Sequence, residues 1–490
     1  MPIRDLRLAP AAPEDVAGAL ASLRAEIGIP AMYPAEARAE AQVASLGDLK
    51  DFRQDRRDLD FVTIDPPGSM DLDQAVHVTT SGHGYVVRYA IADVASFVSP
   101  GGPLDAEVHR RGVTFYGPDT RTPLHPAVLG EGAASLLPDQ DRPAVLWTMS
   151  LDSSGELTSV AVTRAVVRSR ARLTYGEAQT ALDSGAAPEP LMLLADVGRL
   201  RQARELERGG ISLAVPEQEV LRHPDGTFTL ELRRTLPIES WNAQISQLTG
   251  IAAARLMRDA GVGILRTLPP PEQADVDRLR RTAAALGIDW ADDVSYADLL
   301  GHVESRRAAH AAFLSEATTL FRGAGYLAFG VPGPGGGARV PVPADARHAA
   351  VGAEYAHVTA PLRRLADRYA TEICLAQSAG RDVPAWVLAA LPGLPATMHA
   401  ASARAAAFER ACVDIVEAAL LASKVGRRFE GVVVDASDPG PDGVQRGEVM
   451  LREPAVRARV EGSPLPLGER VKVTLSAASV AERRVLFTLP

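Results

Sequence analysis

Residues 51–425 combine two hydrophobic periodicities without an obvious polar linker, and this stretch limits the possible folds of the 490-residue chain most strongly. Alternating apolar and polar residues in YVVRYAIADV (85–94) and AVLWTMSLD (144–152) predict strands. Apolar residues at helical spacing in ESWNAQISQLTGIAAARLMRDAG (239–261) and ADVDRLRRTAAALG (274–287) predict helices. Because these patterns follow one another without a break, we predict one large mixed α/β (α+β) unit over residues 51–425.

The pattern changes after Lys424. Residues 426–490 contain short apolar runs separated by Gly, Pro and Asp, which is typical of a small all-β barrel of the OB-fold kind. Such barrels bind single strands in a groove that carries basic and aromatic side chains. Phe429 and Phe487 are the only aromatic residues in this segment. The sequence therefore leaves two interpretations open, a barrel that binds single-stranded nucleic acid and a purely structural one.

The first 50 residues predict a short helical element. Two helical patterns, near residues 13–26 and 35–46, are separated by the helix-breaking sequence GIPAMYP. A truncated helix-turn-helix is one interpretation of this arrangement. The N-terminus lacks the apolar core of a signal peptide, and no run of about 18 apolar residues predicts a membrane span. We therefore expect a cytoplasmic enzyme with no membrane partner.

The net charge of −9 argues mildly against a nucleic-acid partner. It is a weak argument, because a basic channel can coexist with an acidic exterior. Global charge alone thus excludes no function class here.

A cluster of acidic residues follows the first strand of the large unit. In FVTIDPPGSMDLDQAV (61–76), Asp65 ends a run of β-formers, and Asp71 and Asp73 lie on the same side of an extended segment. Three carboxylates at one site repel each other unless cations neutralise them, and hard oxygen ligands select magnesium or manganese. A solvated acidic turn explains the same spacing, so both interpretations stay open.

A second pattern lies in EYAHVTAPLRRLADRYATEI (354–373). Thr359 and Pro361 stand where a helix is predicted to begin, which places Arg363 and Arg364 in its first turns. Free N–H groups at a helix N-terminus and nearby guanidinium groups suit phosphate oxygens. An ordinary helix with a surface ion pair is the alternative. A third segment, ASARAAAFERACVDIVEAALLA (401–422), predicts a long helix that carries Glu409.

Together these segments resemble the RNase II family of exoribonucleases, whose catalytic unit is the RNB domain. FVTIDPPGSMDLDQAV is similar to the strand-and-aspartate signature of the family. The motifs SRARLTYGEA, PIESWNAQIS and YAHVTAPLRRLADR then follow in the order of the family, and the segment from Phe429 is similar to its C-terminal RNA-binding barrel.

The resemblance implies a processive, magnesium-dependent hydrolase that degrades single-stranded RNA from its 3′ end and releases nucleoside 5′-monophosphates. Manganese is a possible alternative metal. The resemblance implies that Asp65, Asp71 and Asp73 hold two metal ions and that Arg363 contacts the region of the scissile phosphate. Gln74 stands where the family has a fourth aspartate, and its carbonyl oxygen can still bind a metal. No obligate protein partner is implied.

The resemblance also implies a set of RNA contacts. Tyr116 matches an aromatic residue that stacks on terminal nucleotides, and Tyr175 matches a tyrosine near the terminal ribose. Glu239 is a candidate for the same task as Tyr175. The residues expected to contact RNA are Tyr116, Tyr175, Glu239, His357, Thr359, Arg363, Arg364 and Glu409.

Two other function classes remain open. The neutral Gln74 is compatible with an RNA-binding protein built on a degenerate nuclease core. A metal-dependent phosphodiesterase that acts on DNA or small nucleotides would carry a similar acidic cluster.

Overall fold

The structure is a computed structural model that describes residues 13–47, 54–212, 217–222, 228–233, 235–291, 293–303, 308–451 and 456–489. Its helices are α1 (Pro13–Ile27), α2 (Ala35–Ser45), α3 (Pro103–Arg111), α4 (Tyr175–Asp183), α5 (Glu189–Glu207), α6 (Pro237–Ala260), α7 (Gln273–Ala285), α8 (Tyr296–His302), α9 (Ala308–Ala317), α10 (Leu365–Ser378), α11 (Ala385–Ala390) and α12 (Leu394–Leu421).

The strands of the α/β unit are β1 (Gln54–Asp55), β2 (Phe61–Asp65), β3 (Gln74–Ser81), β4 (Gly84–Ala92), β5 (Phe115–Tyr116), β6 (Arg121–Thr122), β7 (Asp141–Leu151), β8 (Leu157–Thr174), β9 (Glu217–Arg222), β10 (Phe228–Arg233), β11 (Gly263–Thr267), β12 (Gly325–Phe329), β13 (Arg347–His348) and β14 (Ala353–Glu354). The C-terminal strands are β15 (Arg428–Ala436), β16 (Gln445–Leu451), β17 (Arg457–Gly462), β18 (Arg470–Ser479) and β19 (Arg484–Thr488).

The main sheet has the order β1–β8–β2–β3–β4–β7, and β8 also pairs with β7. The 18-residue strand β8 makes both pairings possible. Residues 157–168 of β8 run antiparallel to β7, and residues 169–174 run parallel to β2. Strand β8 therefore links the two ends of the β2–β3–β4–β7 run and fixes the end of β2 where Asp65 lies.

Helices cover this sheet. Helix α5 packs against β3 and α6, and α10 packs against α6 and β8. Gly250 of α6 permits this helix to pack closely on the segment that leads to Arg363 and Arg364, because a Cβ at position 250 would lie 2.1 Å from the Tyr355 ring. The mixed α/β fold that the sequence predicts is confirmed.

The five C-terminal strands close into a barrel in the order β15–β16–β17–β19–β18. Its interior holds Val433, Val449, Val460, Val473 and Phe487, each with almost no exposed surface. Helix α12 packs against β18 and β19, and α9 packs against β15. The predicted OB-like barrel is therefore confirmed.

The N-terminal helices α1 and α2 pack against α12 and α3 respectively, so the predicted helical element is also confirmed. Within the described ranges, no helix combines the length and the apolar composition that a membrane crossing requires. The division into residues 1–50, 51–425 and 426–490 stays a prediction.

Candidate active site

The acidic cluster lies where β2 ends and β3 begins. Asp65 is the last residue of β2 and is paired in parallel register with Thr174 of β8. The chain then turns through residues 66–73 and enters β3 at Gln74. The connection between two neighbouring strands thus carries the predicted carboxylates.

Hydrogen bonds hold this connection in place although it is not a strand. The Leu72 amide donates to Ser135 Oγ at 2.9 Å, and the Leu72 carbonyl accepts from the Leu136 amide at 3.0 Å. The Leu72 side chain is fully buried. Asp71 and Asp73, on either side of it, both lie near the Tyr116 hydroxyl. That these two carboxylates share one side of an extended segment stays a prediction, because residues 70–73 form no strand.

Burial outweighs the nearby positive charge at two of the three carboxyl groups. Asp65 Oδ2 is buried without a hydrogen-bond partner, and burial raises the pKa of Asp65 to about 6. Burial also raises the pKa of Asp73 to about 8, although Arg363 and the Leu362 amide act in the opposite direction. The Leu362 amide donates to Asp73 Oδ1 at 2.8 Å, and Arg363 Nε lies 3.6 Å from Asp73 Oδ2. A cation near these oxygens would restore their ionised form.

The third carboxylate already has a cationic partner that the sequence analysis missed. Arg121 Nη1 lies 2.5 Å from Asp71 Oδ1, and Arg121 Nη2 lies 2.8 Å from Glu131 Oε1. The sequence signal was weak, because an arginine in the turn GPDTRT is normally a solvated residue. Its position five residues after Tyr116 was the one sequence feature that placed it near the predicted site.

The residues partly fit the metal ions that the resemblance implies. The unpartnered oxygen of Asp65 and the desolvated carboxyl of Asp73 provide the hard donors that magnesium prefers. Asp71 would have to give up part of its contact with Arg121. In the part of the chain that the structure describes, no three His, Cys, Asp or Glu side chains are grouped closely enough to hold a metal as they stand.

We call residues 359–364, which carry Arg363 and Arg364, the arginine segment. The predicted helix does not begin within it. Helix α10 begins at Leu365, not at Thr359 or Pro361, so the prediction that the two arginines lie in its first turns is wrong. The reason is a tertiary pairing. Arg364 has extended backbone angles and forms an antiparallel bridge with Val113. That bridge holds Arg364 extended and separates the turn at residues 361–363 from the start of α10.

The two neighbouring arginines have different surroundings. Arg364 forms a bidentate ion pair with the fully buried Asp367, with distances of 2.9 and 2.8 Å. The Arg363 side chain is 45% exposed beside Asp73. Arg363 is therefore available to a ligand at the carboxylates, whereas the Arg364 guanidinium is committed to the protein.

The Gln74 amide is committed to protein contacts at both ends. Its Nε2 donates to the Thr359 carbonyl at 2.6 Å, and its Oε1 accepts from the Tyr89 hydroxyl and, at 3.3 Å, from Ser246 Oγ. An amide oxygen has two lone pairs, and both are used here. The metal-binding role of Gln74 stays a prediction, and a metal at this oxygen would displace one of the two hydroxyl groups.

The structure brings both predicted tyrosines to the carboxylates. Tyr116 is 41% exposed, its hydroxyl lies among the charges of Arg363 and Asp71, and burial of that hydroxyl raises its pKa to about 12. Tyr175 begins α4, directly after the residue that pairs with Asp65, and burial raises its pKa as well. The ring of Tyr116 is thus accessible beside the acidic cluster.

The other predicted RNA contacts are less direct. Glu239 lies in the first turn of α6, where its Oε1 accepts from the Leu236 amide, and its charge acts on Tyr175. His357 lies between β14 and α10, and its Nδ1 is 2.7 Å from the Tyr326 hydroxyl. Burial lowers the pKa of His357 far below its ordinary value, so this histidine is neutral.

Glu409 is an exposed residue of α12. The charged residue that acts on it is its neighbour Arg410. Its place at the end of an RNA path stays a prediction, as do the individual roles of all the site residues.

Comparison with known proteins identifies the family. The model of the RNB domain matches residues 53–376, which contain the carboxylates and the arginine segment. The chain belongs to the RNB-domain family. The model of the RNase II-type exonuclease C-terminal S1 domain matches residues 427–489, the barrel. The resemblance to the RNase II family is thus confirmed.

Two curated relatives illustrate the match. "Exosome complex exonuclease RRP44 homolog A" of Arabidopsis thaliana is 30% identical over 345 residues, which cover 67% of this chain and 36% of that protein. "Ribonuclease R" of Escherichia coli is 28% identical over 517 residues, which cover 94% of this chain and 60% of that protein. This RNB-domain chain therefore spans about a third of the length of the first relative and three fifths of the second, less than two thirds of either.

Solved structures share the fold. RNase R of Mycoplasma genitalium, in complex with ribose-methylated single-stranded RNA, superposes with a TM-score of 0.83 at 20% identity over 97% of this chain and 78% of that one. Yeast Ssd1, described as a pseudonuclease, superposes with a TM-score of 0.62 at 16% identity over 88% of this chain and 52% of that one. Because a pseudonuclease shares the fold, the site residues must decide the function.

Proposed function

We propose that this RNB-domain protein is a cytoplasmic, metal-dependent exoribonuclease that degrades single-stranded RNA processively in the 3′→5′ direction to nucleoside 5′-monophosphates. The observation that carries the proposal is the convergence of three aspartates, a half-exposed arginine and an accessible tyrosine ring at one place. The geometry favours catalysis over a binding-only role, because a binding groove has no need of two desolvated carboxyl groups.

Magnesium or manganese would be held by Asp65, Asp71 and Asp73, with Gln74 as a candidate neutral ligand. Such ions, when bound, supply a hydroxide nucleophile and stabilise the leaving oxygen. The half-exposed Arg363 guanidinium would donate to a non-bridging oxygen of the scissile phosphate. There it offsets the negative charge that develops as the phosphorus becomes five-coordinate.

The remaining residues would position the RNA. The Tyr116 ring would stack on a terminal base without sequence preference. Tyr175 and Glu239 would contact the terminal ribose, where a hydrogen bond to the 2′-hydroxyl distinguishes RNA from DNA. Thr359, His357 and Arg364 would hold the Arg363 segment in place beside the RNA, and Glu409 would contact the RNA further along its path.

The test is an end-labelled poly(A) assay with magnesium and then with EDTA. We expect a magnesium-dependent ladder that ends in mononucleotides, and near-complete loss of hydrolysis in Asp73→Asn with RNA binding retained. The matched control is Asp60→Asn, because Asp60 is a 72% exposed aspartate just before β2. Normal mononucleotide release by Asp73→Asn would refute the catalytic role of this cluster.

The same assay separates the alternatives. RNA that is retarded but not cut by the wild-type protein would support an RNA-binding protein with a degenerate core, for which the fold of Ssd1 is a precedent. Equal cleavage of poly(A) and poly(dA) would support a phosphodiesterase that does not recognise ribose.

A further inference from the structure

The strand pair that carries Tyr116 is too small to fix its own position. We call residues 115–122 the Tyr116 hairpin. It consists of β5 and β6, each two residues long, in the register Phe115↔Thr122 and Tyr116↔Arg121. Isolated two-stranded hairpins are marginally stable even at greater length. The orientation of the Tyr116 ring therefore depends on the groups that hold the hairpin from outside.

Helix α1 holds the tip of the hairpin. Arg24 forms a bidentate ion pair with Asp119, with distances of 2.9 and 2.5 Å, and also donates to the Thr120 carbonyl at 3.2 Å. The side chains of Arg24 and Asp119 are 16% and 22% exposed. The contact is close, because a Cβ on Gly117 would lie 2.6 Å from Arg24 Nη2. A bidentate, largely buried pair of this kind fixes geometry as well as charge.

The segment between α1 and α2 contacts the residue that directly follows the hairpin, Pro123. The Tyr33 hydroxyl donates to the Pro123 carbonyl at 2.5 Å. Arg111 Nη1 donates to the same carbonyl at 3.0 Å, Arg111 Nη2 donates to the Met32 carbonyl at 3.2 Å, and the Arg111 guanidinium lies 3.7 Å from the centre of the Tyr33 ring. The N-terminal helical element thus contacts the tip of the hairpin and, at a separate place, Pro123 directly after it.

The opposite side of the hairpin faces the acidic cluster. Arg121 reaches Asp71, and the Tyr116 hydroxyl lies among the charges of Asp71 and Arg363. Asp119 is three residues from Tyr116, so the pairing with Arg24 fixes a point of the chain close to the ring.

We infer that the N-terminal helical element is part of the RNA-binding apparatus, with Arg24 as the positioning residue that orients the Tyr116 ring. This inference rests on the proposed stacking of Tyr116 on RNA. Arg24 acts through the hairpin and does not touch the substrate.

The experiment measures the affinity of the full chain for a fluorescein-labelled oligoadenylate by anisotropy, with Asp73→Asn as the background so that no RNA is cut. We expect Tyr116→Ala to weaken binding about fivefold or more, and Arg24→Met to weaken it about threefold to tenfold. Asp119→Asn, which keeps a hydrogen-bonding side chain, should give a smaller loss in the same direction. The matched control is Arg38→Met, which removes an exposed arginine of the neighbouring helix α2.

A double-mutant cycle distinguishes positioning from general damage. In a Tyr116→Ala background, Arg24→Met should cause no loss beyond that of Arg38→Met. Amide hydrogen exchange of the RNA-free protein supplies a second readout, and exchange in residues 115–123 should become faster in Arg24→Met but not in Arg38→Met.

Three results would overturn the inference. They are an Arg24→Met affinity equal to that of Arg38→Met, an equal loss with and without the Tyr116 ring, and unchanged hydrogen exchange in residues 115–123. If Tyr116→Ala itself binds RNA normally, the proposed role of Tyr116 fails and the inference fails with it. If Tyr116→Ala weakens binding and Arg24→Met does not, the inference alone fails.

Discussion

Replacement of Gln74 tests the energetics of the site most directly. Its amide joins the start of β3 to the arginine segment through the Thr359 carbonyl, across 285 residues of sequence. Gln74→Glu keeps the length and the oxygen that accepts from Tyr89 and Ser246. Its second carboxylate oxygen cannot donate to the Thr359 carbonyl, so two acceptor oxygens would face each other there. Gln74→Asp introduces the same charge on a side chain that is one methylene shorter.

The expected loss follows from burial. Thr359 is 3% exposed, so its carbonyl cannot turn to solvent when the donor is removed. A buried acceptor that is left without a partner costs about 1–3 kcal/mol. We therefore expect both variants to lose about 1–3 kcal/mol of unfolding free energy in EDTA, with the larger loss in Gln74→Asp because it also loses reach.

The assay is urea unfolding, monitored through tryptophan fluorescence, in EDTA and in about 10 mM magnesium chloride. A ligand that binds the folded state stabilises it by an amount that depends on its dissociation constant. If position 74 contacts a metal, the added carboxylate should increase the magnesium-dependent stabilisation of Gln74→Asp above that of the wild type. Activity should be retained, with a lower magnesium midpoint.

Two results would refute this reasoning, each in a different part. Wild-type stability of both variants in EDTA would show that the hydrogen bond to Thr359 contributes nothing. Equal magnesium-dependent stabilisation of the wild type and Gln74→Asp would show that position 74 is not a ligand.

Three further predictions concern the surrounding charges. Arg364→Met should lose about 3–5 kcal/mol of unfolding free energy because it leaves the fully buried Asp367 unpaired, and a loss below 1 kcal/mol in urea unfolding would contradict this. The hydrogen bond from His109 to Asp105 raises the pKa of His109, so its stabilisation is complete below about pH 6.5 and is lost as the pH rises through the raised value. The stability difference between the wild type and His109→Gln should then be larger at about pH 5.5 than at about pH 9, and a pH-independent difference would contradict it. Arg121→Gln should bind manganese about tenfold more tightly in the RNA-free protein, because the Arg121 guanidinium no longer competes for the Asp71 carboxylate. Electron paramagnetic resonance measures this affinity. Unchanged or weaker manganese binding would contradict competition between Arg121 and the metal.

The sequence was informative wherever local pattern determines structure. Alternation over residues 85–94 corresponds to β4, and helical spacing over residues 239–261 corresponds to α6. The aspartates of the β2–β3 connection were found because their spacing is local. In each case the physical cause acts within a few residues of chain.

The sequence failed where a distant segment determines the outcome. Helix α10 starts later than predicted because Arg364 pairs with the backbone of Val113. The Arg121–Asp71 pair joins residues that are 50 positions apart, and no local sequence pattern predicts it. The hydrogen bonds of Gln74 are equally non-local, so its amide could be interpreted only as a missing charge.

The hydrogen bond between the Leu362 amide and Asp73 spans 289 residues of sequence. On the ribosome, the carboxylates emerge before their partner segment, which is synthesised only after most of the α/β unit. Because domains fold as units once their chain is available, a partly translated protein has the aspartates but no assembled site. If the proposed function is correct, the timing of synthesis keeps the RNA-degrading centre incomplete while its own messenger RNA is still being read.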